Sequence, residues 1–416
     1  MYRVWDYVST YSLPLIAGAI LALVWANIAP DSYHAVIHTV VWDDAPIGTA
    51  YYEGGSVTRV LDLHYLVNDV FMAFFFAIAG KEVWEALILK DGSLRGRRAV
   101  TPLIATAGGM IGPVAVYLLV AAAVGQLGQL AHGWAVPTAT DIAFSYLVGR
   151  LIFGARHPAI GFLLLLAIAD DAAGLIILAI AYPQGDLLPL WLLLSVAASG
   201  AAYLLFNWLP RYLDRGDPLQ RRATMVRRRL SYWPYLIAGA VSWYGFQEAG
   251  LHPALGLLPI IPAIPHSERE FGIFSAAEAH LPDLLNRIEH KLKIPVEIGL
   301  FFFGLMNAGV EFGAISAVTW AVLAGLLIGK PVGIFTFGWV AARPLGFGLP
   351  RGMGAPDLFV VGCIAAIGFT VALFISTVAF AAGPLQDGAK MGALFSFAAA
   401  ILAFAAGRMA KVQKAE

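Results

Sequence analysis

The chain has 416 residues, 59% of them hydrophobic and only 13% charged, with formal positive and negative charges in balance. Soluble domains carry about 25% charged residues, so this composition, with a mean hydropathy of +0.75, excludes an ordinary soluble globule and predicts an all-α polytopic membrane protein. The balanced charge by itself says nothing about nucleic acid, but no basic tract has the composition of a nucleic-acid-binding arm, and none is expected as a partner. A single cysteine, Cys363, leaves neither a disulfide framework nor a cysteine metal cluster.

Apolar runs of about 18–25 residues are long enough to cross a hydrocarbon core of about 30 Å. In chain order they fall at 12–30, 63–89, 99–124, 131–153, 158–182, 187–208, 232–248, 251–264, 291–310, 317–342, 356–381 and 388–409, which makes twelve spans. The first follows Arg3 and resembles a signal peptide, but the many later spans make it a transmembrane helix. The loop at 31–62 is acidic and suits a short hairpin on the outer surface. The second span carries Asp69 in "VNDVFM" toward its outer end and Glu82 in "AGKEVWEAL" toward its inner end. Each fits the wall of an access funnel or a solvated interface equally well. Residues 209–230, with "RRATMVRRRL", form a basic inner linker facing anionic lipid. His252 in "GLHPALG" opens a short span interrupted by Pro253, Pro259 and Pro262, where a cap or core histidine is the plainer reading. Glu289 and His290 in "RIEHKL" stand at the inner start of a span, where solvation suffices to explain them. Histidine titrates near neutrality, so pH sensing is a second reading for both histidines.

Orientation follows from the basic residues. With both termini cytoplasmic, the inner side collects Arg3, Lys90, Arg95, Arg97, Arg98, Arg150, Arg156 and seven arginines from Arg211 to Arg229. It also takes Arg269, Arg287, Lys291, Lys293, Arg343, Arg351, Arg408, Lys411 and Lys414, whereas the outer side keeps only Arg59 and Lys390. Lys81 and Lys330 fall near or inside spans and stand apart.

An internal echo joins two parts of the chain. "AGGMIGPV" at 107–114 and "AGLLIGKPV" at 324–332 each open a set of three spans, and the second span of each set is broken, at "VPTATDIAF" (136–144) and "GCIAAIGFTVALF" (362–374). An odd number of spans per set makes the two run in opposite directions. Approximate repeats at 99–182 and 317–409 of inverted topology are expected, with two discontinuous helices crossing near the midplane.

The polar groups a bilayer rejects then converge. Asp141 follows Thr140 inside a broken span, Asp170 and Asp171 sit together in the next, and Lys330 lies in a third. A carboxylate at the bilayer centre costs about 2.5–3.5 kcal/mol on insertion scales, so all four face protein or a water-filled cavity. Neighbours on a helix point about 100° apart, so one of Asp170 and Asp171 can meet Lys330 while the other meets Asp141. Two carboxylates in a low dielectric do not both stay charged unless a cation or a proton lies between them. Such a site exchanges H⁺ for a hard cation, and oxygen ligands, Thr140 Oγ and freed carbonyls among them, suit Na⁺ or Li⁺. An ion pair that merely locks helices together explains one Asp–Lys pair well, but adjacent acids make a poor lock.

Together these residues resemble the NhaA-type sodium/proton antiporters over nearly the whole chain. The resemblance rests on "ALVWAN" (22–27), "NDVFMAFFF" (68–76), "TDIAF" (140–144), "AIADDAAG" (167–174), "NAGV" (307–310), "GKPVGI" (329–334) and "GFTVALFI" (368–375). That family is itself a known case of inverted repeats, so the repeat argument and the resemblance are one support rather than two. It implies that Asp171, Asp141 and Thr140 bind the cation, and that Asp170 pairs with Lys330 and exchanges protons. It further implies electrogenic exchange of two protons for one sodium, no cofactor, a homodimer and a place in the inner membrane. This chain departs in "GKEVWEAL", where the family usually has "GLEVKREL", and in Lys293, where a second histidine is common. Those changes bear on the pH-activation profile and leave the ion site intact.

Two other functions deserve comparison. An intramembrane aspartyl protease needs its aspartates on separate helices, one of them in Gly-x-Gly-Asp, which is absent here. A sodium-coupled organic-anion symporter shares the architecture, but its substrate would meet three carboxylates.

Overall fold

The computed structural model describes residues 2–53, 56–89, 92, 94, 96–215, 221–266, 284–412 and 414–415. Helix dominates it, and a long apolar sequence leaves the backbone no other way to satisfy its own hydrogen bonds in lipid. In chain order come α1 (Tyr2–Ile28) and α2 (Pro30–Ile37), then three short strands, β1 (Val40–Trp42), β2 (Thr49–Glu53) and β3 (Ser56–Asp62). The strands form an antiparallel sheet in the order β1-β3-β2, so the loop expected to hold a hairpin holds a third strand as well. It marks what we call the sheet end of the molecule.

α3 (Leu63–Ile88) runs away from the sheet, starting with a π-helical turn at Leu66–Phe71, and is followed by α4 (Val100–Ala123). The chain then breaks into short turns at Leu127–Leu130, Ala131–Gly133 and Val136–Thr138 before α5 (Ile142–Phe153). Gly154, at φ +83°, ends α5, and Pro158 at the first turn of α6 (Pro158–Ala181) restarts the helix behind the His157 cap. α7 (Pro189–Leu213), α8 (Arg221–Arg229) and α9 (Trp233–Glu248) follow. Prolines reduce the stretch after α9 to the 3₁₀ turns Pro253–Leu255 and Leu258–Ala263. α10 (Leu284–Asn307) and α11 (Ala317–Ala342) precede α12 (Ala355–Ala365) and α13 (Phe369–Ala379), a pair bent by 50°. α14 (Pro384–Phe395) and α15 (Ala398–Met409) close the chain.

Among the described residues six helices are long and apolar enough to cross a membrane, and the bent α12–α13 pair makes a seventh. The sequence predicts twelve spans. α1 falls short because its apolar part is only Leu13–Ile28, and α10 because Arg287, Glu289, Lys291 and Lys293 crowd its first turns. Lys390, expected on the outer aqueous side, is instead buried within α14 and does not count toward the charge asymmetry. Lys90, Arg95, Arg269 and part of the 209–230 linker lie outside the described residues.

The two echoing motifs pack on each other. A Cβ on Gly112 would press on the backbone of Gly329 and Gly333, and one on Gly329 would meet Pro113 Cα at 2.6 Å. Gly108 faces Gly333 in the same way. Advancing four residues along α4 retreats four along α11, so the two helices run antiparallel, with backbone against backbone. Only glycine permits that approach.

Candidate functional site

Close packing of α4 on α11 sets Lys330 deep in the protein, where it is fully buried. Its ammonium donates to Asp170 Oδ2 at 2.9 Å and to the carbonyl of Thr138, the last residue of a helical turn. A cation thus meets the carbonyl end of a helical segment, where the backbone's partial charge is negative.

The segments around 138–145 and 364–370 meet beside this pair. Asp141 N–H donates to the Ile367 carbonyl at 2.7 Å, and the Thr140 hydroxyl donates to that of Ala365 at 3.1 Å. The Ser145 hydroxyl donates to the Ile364 carbonyl at 3.2 Å. Carbonyls orphaned where α12 stops are therefore satisfied by donors from the other break.

Asp141 does the converse for amides. Its Oδ1 accepts from Phe144 N–H at 3.1 Å, capping α5. Its Oδ2 accepts from Thr370 N–H at 3.3 Å and from the Thr370 hydroxyl, in the first turn of α13. One carboxylate therefore caps two helix starts, where anions are favoured.

Asp171 behaves differently. It follows Asp170 on α6, is less buried, and makes no hydrogen bond or ion pair among the described residues. It lines a narrow cleft with Thr140, Asp141, Thr370, Phe75 and Glu82. Among the described residues no three His, Cys, Asp or Glu side chains close on a single point. The cleft is lined by three carboxylates among the described residues, with Asp141 and Asp171 beside the hydroxyls of Thr140 and Thr370 and Glu82 on another part of its wall. Carboxylates and neutral oxygens are the donor types that suit a hard monovalent cation, and a carboxylate can carry a proton instead.

The remaining sequence candidates fall into two groups away from this crossing. Glu82 lies on the cleft wall, and Lys81 beside it is buried. The Lys81 ammonium lies 2.9 Å from Glu85, 3.0 Å from Glu289 and 3.4 Å from Glu82, tying α3 to α10. Glu289 is therefore engaged rather than simply solvated, whereas His290 is exposed. At the sheet end Asp69 is buried, contrary to an interfacial position, because α9 and the turn at 253–255 cover it. His252 caps that turn, accepting from Ala254 N–H at 3.3 Å, and its Nδ1 lies 3.4 Å from Asp69 Oδ1.

Sequence reasoning did not single out Thr370 or the Thr138 carbonyl. Thr370 lies inside the quoted "GFTVALFI" stretch, but a threonine in an apolar span carries no charge to draw notice.

Residues 4–407 match the model of a family described as Na+/H+ antiporter 1. The chain is 65% identical to the Na(+)/H(+) antiporter NhaA of Jannaschia sp. (strain CCS1), with the whole of both chains aligned. It is 46% identical to the Na(+)/H(+) antiporter NhaA of Desulfitobacterium hafniense, over 98% of this chain and 96% of the relative. With the Na(+)/H(+) antiporter NhaA of Geobacter sulfurreducens it shares 45% identity over 97% of each.

Proposed function

Since the chain belongs to the Na+/H+ antiporter family, we propose that this multi-pass membrane protein exchanges cytoplasmic Na⁺ or Li⁺ for external H⁺. In this reading exchange is electrogenic, two protons for each sodium, and serves sodium and pH homeostasis. The observation that carries it is Asp171, a carboxylate without a protein partner among the described residues, in a cleft shared with Asp141 and Thr140. A cation entering along α3 past Glu82 is held between Asp141 and Asp171, with oxygens of Thr140 and the crossed breaks completing its shell. When protons replace it, the same carboxylates are neutralised. Asp170 and Lys330 exchange protons as a pair and hold the crossing together.

The antiparallel glycine faces of α4 and α11 support inverted repeats over 99–182 and 317–409. We further propose that the protein lies in the inner membrane with both termini cytoplasmic and the sheet end outside. In that setting the 31–62 region joins a homodimer, and the 209–230 linker rests on anionic lipid.

Dye-monitored exchange in everted membrane vesicles across pH 6–9 tests the core of the reading. Added Na⁺ should release accumulated protons, faster when the membrane potential assists a net outward charge. Sodium movement without proton counterflow would overturn antiport and favour sodium-coupled symport.

A further inference from the structure

Asp69 and His252 form a polar site that the exchange described above does not use. We propose that they share one proton and serve as the port through which protons from the sheet end reach the ion site. The inference rests on the antiport reading.

Three observations support it. His252 Nδ1 accepts from Ala254 N–H, yet the same nitrogen faces Asp69 Oδ1 at 3.4 Å. Two acceptors facing each other in a buried place are unfavourable unless a proton lies on one of them. Among the described residues Asp69 Oδ1 has no hydrogen-bond partner. The proton has two positions. On Asp69 it leaves the His252 lone pair to cap the turn at 253–255; on Nδ1 it makes an imidazolium–carboxylate pair and gives up the cap.

Second, the site is connected outward. The side chain of Gln184, an exposed residue whose backbone N–H donates to the Gly250 carbonyl, lies near the Asp69 carboxylate. The other charged or titratable groups around it are accounted for. Asp62 caps the start of α3 by accepting from Tyr65 N–H, and the Tyr65 hydroxyl donates to Gln247. Arg59 pairs with Glu248 at 2.7 Å, and that carboxylate holds the guanidinium above its ordinary range, so the pair keeps its charges.

Third, what separates the pair from the ion site is thin. The His252 ring lies 4.8 Å from that of Phe374, which lies 5.0 Å from that of Phe76. Phe76 lines a small cavity with Asp170 and Asp171. A rotamer change at two phenylalanines would let a water chain carry a proton between the two sites.

The test uses purified full-length protein in proteoliposomes with pH varied independently on each face. Asp69→Asn should require roughly tenfold more protons at the sheet-end face for half-maximal exchange, with the dependence on the opposite face unmoved. His252→Gln separates the proton from the cap, because glutamine can still accept from Ala254 N–H but carries no proton. It should reproduce the Asp69→Asn shift, and Asp69→Glu should restore the original midpoint. Infrared difference spectra on acidifying the sheet-end face should show a protonated-carboxyl band that Asp69→Asn abolishes. Exchange in both variants with the original midpoint at that face would overturn the port, and so would an unchanged carboxyl band. Absence of exchange in the unmodified protein would instead overturn the antiport reading itself.

Discussion

Asp141 and Thr370, 229 positions apart, are joined twice, through the backbone N–H and through the hydroxyl of Thr370 to one carboxylate oxygen. A hydrogen bond to a charged group contributes about 1.5–3 kcal/mol. Thr370→Val keeps the shape and removes the hydroxyl, so it should lower thermal stability and weaken Na⁺ binding. Thr370→Ser should retain both. Calorimetric titration with Na⁺, together with melting curves, checks this, and a valine variant matching the parent would remove Thr370 from the site.

Asp141 and Asp171 should respond differently to neutralisation. Asp171→Asn loses no hydrogen bond among the described residues, so melting should barely change while Na⁺-driven proton release disappears. Asp141→Asn should lose both activity and stability, since a charged cap at two helix starts becomes a neutral one. Near-normal Na⁺ affinity in Asp171→Asn would take that residue out of the cation site.

Lys330 and Asp170 lend themselves to a double-mutant cycle. Breaking a buried ion pair on one side costs about 3–5 kcal/mol, whereas replacing both partners with apolar residues can be neutral. Lys330→Met alone should destabilise the protein strongly, and adding Asp170→Leu should recover much of the loss. Additive losses would contradict the 2.9 Å contact.

The helix seam is open to a purely steric test. Gly329→Ala places a methyl 2.6 Å from Pro113 Cα, against the Gly112–Pro113 backbone with no flexible side chain to yield. Overpacking of this kind costs about 1–3 kcal/mol. Gly313→Ala, where a Cβ meets nothing within 4 Å, is the matched control and should be silent in a melting assay.

Competition between ions for the same carboxylates would set the pH dependence. If Na⁺ displaces protons from Asp141 and Asp171, each proton that must leave weakens apparent affinity tenfold per unit fall in pH. Log apparent KM for Na⁺ should rise with a slope between about 1 and about 2 as pH falls, then level off at high pH where the carboxylates are already ionised. Binding measured at fixed ionic strength reads this without turnover. A flat affinity from about pH 5.5 to 9 would exclude competition.

Much of the crossing was legible because charge in an apolar run is costly and therefore conspicuous. Asp141, Asp170, Asp171 and Lys330 announce themselves in this way, and the 100° step along a helix already suggests that adjacent acids meet different partners. Thr370 and the Thr138 carbonyl were not legible. A hydroxyl or a carbonyl at such a place is cheap, and its role depends on how two distant breaks lie across each other. Lys81 shows a third limit. Its position beside Glu82 is plain in the sequence, but its contact with Glu289 depends on α3 packing against α10. Asp69 and His252 likewise meet only because α9 and a proline-rich turn fold over the start of α3.

The double cap at Asp141 links the occupant of the cleft to the backbone itself. Phe144 N–H and Thr370 N–H both lean on one side chain, so whatever titrates or coordinates that carboxylate loosens or tightens two helix ends in concert. Amide exchange at these two positions, on opposite sides of the crossing, thus becomes a paired reporter: a binding isotherm could be read from the backbone alone, with no label on the ion.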